Sequence, residues 1–120
     1  MNTGIIGTKY KHIHIQPYVP DGLSSVEASL KTIKGKVESG WQNRSGLFRL
    51  RVVIPANSDA SISIPLLDFE NISVTENGNP VWVNRAFVEG VPGITDASIG
   101  KEFITFSTGS GRYDFILSCD

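Results

Sequence analysis

Strict two-residue alternation between Phe48 and Pro65 constrains this chain more than any other feature. Phe48, Leu50, Val52 and Ile54 alternate with Arg49, Arg51 and Val53, and after Pro55-Ala56-Asn57-Ser58-Asp59 the pattern resumes with Ala60, Ile62 and Ile64 set against Ser61 and Ser63. Successive side chains of a strand point to opposite faces, so each run gathers its apolar residues on one side. A helix would scatter them around its axis. Two amphipathic strands and a turn follow, read as a hairpin, with Pro55 and Pro65 marking strand ends because proline has no N–H to give to a ladder. The same period recurs on the N-terminal side, which makes the pair the middle of a meander beginning at Val26.

The remaining segments obey the same period. Residues 1–9, rich in glycine and small polar types, read as a linker or tail. From Tyr10 to Pro17, Ile13 and Ile15 face one way and His12, His14 and Gln16 the other, and Tyr18 to Leu23 carries turn residues. Ser24 to Gly35 fits two templates. Ser24 and Glu27 have capping-box spacing, Val26, Leu30 and Ile33 fall at i, i+4 and i+7, and Gly35 is placed like a helix stop; yet Val26, Ala28 and Leu30 also alternate. A lone helix is poorly accommodated in a chain whose other segments have period two, so the stretch is read as strand.

Further along, Val37, Ser39 and Trp41 share a face, and Asn43-Arg44-Ser45-Gly46 turns into the central pair. Ile72 to Glu76 and Val81 to Val83 flank Asn77-Gly78-Asn79-Pro80, where Asn-Gly suits the positive φ angles of a type I′ turn and Pro80 belongs on an edge. Residues 86–100 are broken by Gly90, Pro92 and Gly93 and read as a loop with a short strand around Phe87 to Glu89. A last hairpin pairs Glu102 to Ser107 with Tyr113, Phe115 and Leu117 across Gly109-Ser110-Gly111. Eight or so short strands at this spacing predict an all-β, antiparallel β-sandwich occupying residues 10–118 as a single domain, with 119–120 as a tail.

Size and charge bound what such a sandwich can do. A chain of 120 residues buries about two-thirds of the surface exposed by its unfolded form, enough for one core without a metal or disulfide. Cys119 is the single cysteine, so no internal disulfide can form and the redox compartment cannot be read. With 11 basic and 12 acidic residues the net charge is -1, which gives no pull toward nucleic acid or an anionic membrane. No stretch reaches the ~20 apolar residues of a membrane span, and the first residues lack the apolar run of a signal peptide. The chain is expected to be intracellular or a fragment whose targeting segment lies elsewhere.

Few residues invite a catalytic reading. No G-x-S-x-G elbow, P-loop, H-E-x-x-H or dinucleotide fingerprint is present, and no pair of the 12 carboxylates stands out as an acid and base. No cofactor is expected. His12 and His14, two apart on a strand, present both imidazoles on one face within roughly 7 Å. No third histidine completes a metal set, so they read as an exposed or interface-facing pair. Trp41 shares its face with Val37 and reads as core. Trp82 points opposite to Val81 and Val83, which makes it the candidate surface aromatic and, with His12 and His14, a candidate sugar or domain contact.

One series of residues then stands out by its order: Tyr10 to Pro17, Gly22-Leu23, Ala28-Ser29, Gly35-Lys36-Val37 with Trp41, Val53-Ile54-Pro55-Ala56-Asn57, Ile64-Pro65, Val74-Thr75-Glu76-Asn77-Gly78, and Gly109-Ser110-Gly111-Arg112-Tyr113-Asp114-Phe115. In that order and spacing the chain resembles the C-terminal β-sandwich domain of bacterial α-L-rhamnosidases, from Tyr10 onward. The resemblance implies a parent glycoside hydrolase in which a helical barrel, absent from this chain, carries paired carboxylates that remove terminal α-L-rhamnose with inversion by activating a water. It implies a domain packed on that barrel and inactive alone, with rhamnosylated carbohydrate as a further expected partner, and sheet rather than helix at Ser24 to Gly35. The likeness is weakest between Val83 and Lys101. A carbohydrate-binding module, resting on Trp82, and an immunoglobulin-like interaction module are the alternatives.

Overall fold

The structure, a computed structural model, describes residues 5–9, 12–17, 25–32, 35–44, 47–56, 58–66 and 71–119. Twelve strands run through these residues: β1 (Ile5–Lys9), β2 (His12–Ile15), β3 (Ser25–Thr32), β4 (Gly35–Arg44), β5 (Leu47–Ile54), β6 (Asp59–Pro65), β7 (Ile72–Glu76), β8 (Asn79–Val83), β9 (Ala86–Phe87), β10 (Ile94–Ile99), β11 (Phe103–Thr108) and β12 (Gly111–Cys119). They form a five-stranded sheet in the order β1-β2-β6-β11-β10 and a seven-stranded sheet in the order β3-β4-β5-β12-β7-β8-β9. All pairings are antiparallel except β2 with β6. The expected all-β sandwich is present, and no helix occurs among the described residues. The turn read at Tyr18 to Leu23 lies outside the described residues, as do Ser45, Gly46 and Asn57 of two other turns.

Alternation builds the core directly. Phe48, Leu50, Val52 and Ile54 from β5, with Phe115 and Leu117 from β12, face Ile62 and Ile64 from β6 and Ile104 and Phe106 from β11, and each is at most 2% exposed. Burying side chains of this size contributes about 1.5–3 kcal/mol each. The Phe106 and Phe115 rings, one from each sheet, stack with centroids 5.2 Å apart and so join the two layers through the middle. Trp41 is buried as expected and stacks on Phe48 at 5.7 Å.

The stretch from Phe48 to Pro65 is not a hairpin. β5 pairs with β4 and β12 in one sheet, whereas β6 pairs with β2 and β11 in the other. The residues around Pro55 therefore carry the chain across the sandwich, and the apolar sides of the two strands face each other instead of lying side by side. Both arrangements satisfy the same alternation, which is why periodicity alone favoured the shorter connection. The meander accordingly ends at β5. The expected last hairpin is corrected in the same way: β11 pairs with β6 and β10 while β12 pairs with β5 and β7, so Gly109-Ser110-Gly111 is a second crossing between the sheets.

Other expectations change more locally. Ser25–Thr32 is strand, paired with β4 along its whole length, so the helical spacing there is incidental. Residues 5–9, expected as a tail, pair with β2 and form the edge of the five-stranded sheet. Ile94–Ile99, expected within a loop, is the opposite edge strand. Most of its residues are solvent-exposed, so it lacks the apolar signature of a half-buried strand.

Asn77 and Gly78 adopt φ of 51° and 86°, which is the type I′ geometry expected of that dipeptide. A second turn of the same hand joins β8 to β9 through Asn84 and Arg85, at φ of 53° and 63°, with no glycine to announce it. Pro80 stands in β8 opposite Thr75, and β9 pairs only with Trp82 and Val83, so the side of β8 beyond Pro80 has no ladder to lose.

Candidate functional site

The two outer faces of the sandwich differ in chemistry. On the seven-stranded sheet, register aligns Glu27, Gly40, Arg51 and Asp114 across β3, β4, β5 and β12. Gly40 brings no side chain to that row, and an open depression of about 510 Å³ forms there, bordered by Glu27, Glu38, Arg51, Arg112 and Asp114. Arg49 grips Asp114 with two prongs, Nε to Oδ1 at 2.9 Å and Nη2 to Oδ2 at 2.6 Å, and the bond to the carboxylate raises the pKa of the guanidinium. Lys36 and Glu38 pair more loosely at 3.8 Å.

Two carboxylates near this depression are committed to the fold. Asp114 holds Arg49, and Glu76, buried to 8% exposure, accepts the backbone N–H of Asp114 at 3.1 Å. Strand β7 pairs with β12 only from Phe115 onward, so the Glu76 carboxylate supplies the acceptor that the departing ladder no longer offers. Sequence reading did not single out Glu76. Its signal is its place in the inward series Ile72, Val74, Glu76, where a carboxylate is out of character.

On the five-stranded sheet the centre of the outer face is built of hydroxyls, with exposed Asp59 and Asp96 farther along the strands. His14 Nε2 lies 3.4 Å from Ser63 Oγ, and Ser63 Oγ shares a hydrogen bond of 2.9 Å with Thr105 Oγ1, forming a row across β2, β6 and β11. Ser63 faces outward, since its neighbours Ile62 and Ile64 fill the core, yet it is only 3% exposed. An open depression of about 630 Å³ runs along this row, with Gln16 and Ser98 beside it and Phe103 and Ile99 at its margin. Ile99, half exposed at 50%, is the single exposed large hydrophobic residue among the described side chains.

Of the residues singled out from the sequence, His14 sits at an outward position of β2 in register with Ser61, and the His12 backbone is in register with Asp59. The His12 side chain lies outside the described atoms. Among the described residues no three His, Cys, Asp or Glu side chains gather as a metal site. Trp82 is not the surface aromatic that strict alternation implies, for it is 6% exposed and shares the core with Val81 at 0%. The cause is a break in register between β7 and β8. Val74 pairs with Trp82 and Thr75 with Pro80, which leaves Val81 as the extra residue of a bulge and lets two consecutive side chains turn inward.

The region of weakest likeness, Val83 to Lys101, is tied down by Tyr113. Its hydroxyl donates to the Gly109 carbonyl at 2.9 Å, with the Ser110 and Gly93 carbonyls at 3.2 and 3.5 Å, while the Gly109 N–H donates to Gly93 O at 2.9 Å. Gly93 has φ of +88°, and a Cβ there would collide with the Tyr113 hydroxyl. Burial, then the nearby Glu76 charge, raise the pKa of the Tyr113 phenol. The Gly109-Ser110-Gly111-x-Tyr113 motif is thus a clamp between the β11–β12 crossing and the preceding loop.

Comparison with known proteins agrees with this architecture. Residues 6–79 match the family described as bacterial alpha-L-rhamnosidase C-terminal domain. An alpha-L-rhamnosidase of Formosa agariphila is 38% identical over 65 residues, covering 54% of this chain and 7% of that protein. The solved alpha-L-rhamnosidase of Dictyoglumus thermophilum superposes on 90% of this chain and 11% of its own, with a TM-score of 0.77 and 30% identity. The fold is also found in the Streptomyces avermitilis alpha-L-rhamnosidase complexed with L-rhamnose, at a TM-score of 0.72 and 24% identity over 95% of this chain and 10% of that one. This chain therefore spans about a tenth of the length of the proteins it matches. With its matched segment running from β1 into the β7–β8 hairpin, the chain belongs to the bacterial alpha-L-rhamnosidase C-terminal domain family.

Proposed function

We propose that this chain is the non-catalytic C-terminal β-sandwich domain of an α-L-rhamnosidase-like glycoside hydrolase, packed against a helical catalytic barrel of the same longer chain that hydrolyses terminal α-L-rhamnose. The observation that carries this reading is the match to a C-terminal family by a chain about a tenth as long as the enzymes it resembles. Two of the carboxylates beside the depression on the seven-stranded sheet support it, because Asp114 and Glu76 are engaged in bonds that hold the sheet together. A glycosidase acid or base must instead be aimed at a bound sugar.

Mixing the purified chain with an aryl α-L-rhamnoside tests the proposal, with no release of the aryl group above a buffer control expected. Turnover at an enzyme-like rate would refute it. The same preparation separates the carbohydrate-binding alternative by titration calorimetry, because both tryptophans are core residues and their emission does not report on a sugar at the surface. Titration with rhamnose to millimolar concentration should give no heat beyond dilution, and a saturable heat would favour a binding module.

A further inference from the structure

We infer that the outer face of the five-stranded sheet, floored by Ser63 and Thr105 and bordered by His14, Phe103 and Ile99, is the surface on which the catalytic part of the longer chain docks. The inference rests on the reading of the chain as a packed domain and adds which face is covered. Three observations single out this face over the other.

The first is charge. Docking excludes water, and taking an ion out of water costs several kcal/mol unless a partner and further hydrogen bonds replace it. The seven-stranded face exposes Glu27, Lys36, Glu38, Arg51 and Arg112, and neither Arg51 nor Arg112 has an ion-pair partner among the described residues. Along the Ser63–Thr105 row the opposite face carries hydroxyls that satisfy one another, so a partner laid over that row strands no charge; the exposed carboxylates of this face, Asp96 and Asp59, stand one and two outward positions farther along the strands. Lys101 and Glu102 stand at its margin, where an interface keeps its polar rim.

The second is the apolar margin. Half-buried Phe103 lies on this depression, and Ile99, half exposed at the end of edge strand β10, borders it from the sheet edge, its register partner being the core residue Ile104. An uncharged centre with aromatic and aliphatic anchors at its edge is the composition of an interface core. The third is where the missing chain arrives. The matched enzymes are about ten times longer and the family is C-terminal, so chain of that length would precede this domain and enter through β1. Strand β1 is an edge of this same sheet, next to the strand that carries His14. The preceding chain is delivered to the margin of the hydroxyl face.

Carbene footprinting tests the assignment. The free chain is compared with a chimera in which it replaces the superposed segment of the Dictyoglumus thermophilum enzyme. Labelling at Ile99, Phe103 and Thr105 is expected to fall severalfold in the chimera while labelling at Arg51 and Arg112 stays level. Protection confined to Arg51 and Arg112 would overturn the face assignment and leave the packed-domain reading standing; protection of neither face would overturn both. Ile99→Glu gives a second readout, because Ile99 is exposed in the free chain. It should leave the free chain's melting temperature unchanged and lower that of the chimera, and an equal effect in both would count against docking at this face.

Discussion

The outer faces of the two sheets share a backbone geometry and differ in what they ask of water. The seven-stranded face is a solvated surface: its charges are spread over several strands, and its strongest contact, Arg49 with Asp114, is still 40% and 27% exposed at the side chains. The five-stranded face is dry at its centre, where Ser63 is 3% exposed and its hydroxyl is held between His14 and Thr105. The difference teaches that exposure and alternation are separate matters. Outward positions on one sheet serve solubility, and outward positions on the other are closed off as though prepared for contact.

The largest test of this contrast places a charge on each face. Ser63→Asp puts a carboxylate where water is nearly excluded and is expected to cost about 2–3 kcal/mol in urea unfolding, whereas Arg51→Glu should stay within about 0.5 kcal/mol. Similar losses from both would erase the distinction. Gly93→Ala, which forces a Cβ against the Tyr113 hydroxyl at positive φ, should cost about 2 kcal/mol and locate stability in the clamp between the faces rather than on either.

Tyr113→Phe removes the bond to Gly109 and should cost about 1 kcal/mol at neutral pH. Because burial raises the phenol above its ordinary value of 10.0, the neutral ring's contribution is complete below that pH and is lost as pH rises through the higher folded-state value. Stability of the parent chain should therefore fall on the alkaline side, and the Phe variant should show a shallower decline. Smallest of all, Arg49→Ala should cost about 0.5 kcal/mol, shrinking further in high salt, since the pair is largely solvated. A larger, salt-independent loss would mean that the charged face is drier than its geometry shows.

These effects also mark which features were legible before the structure. Alternation in β5, β6 and β12 specified the core because every second residue there is apolar, and Asn77-Gly78 specified its turn because both φ angles must be positive. What alternation could not supply is partnership. Phe48 to Ile54 and Ala60 to Ile64 look the same to a two-residue period whether they lie side by side or face to face, and the structure places them face to face.

Trp82 was misread for a related reason. A bulge at Val81 shifts the phase by one residue, and nothing in Pro80-Val81-Trp82-Val83 signals the extra residue. Strand β10 was missed because Thr95, Asp96 and Ser98 leave it no apolar face, and the turn at Asn84-Arg85 because arginine is a poor guide to positive φ. The hydroxyl row was hidden in plain residues. Ser63 and Thr105 are 42 positions apart and become a site only through the β6–β11 register.

A domain that serves an enzyme by packing against it, as we propose, shares its unfolding transition. Thermal unfolding of the Dictyoglumus thermophilum enzyme, measured without its superposed C-terminal segment and again with this chain fused in its place, tests that claim most directly. Removal is expected to lower the melting temperature and fusion to raise it toward the intact value, with this chain unfolding in the same transition as the rest. A truncated enzyme as stable as the intact one, or a fused domain that melts independently, would contradict it.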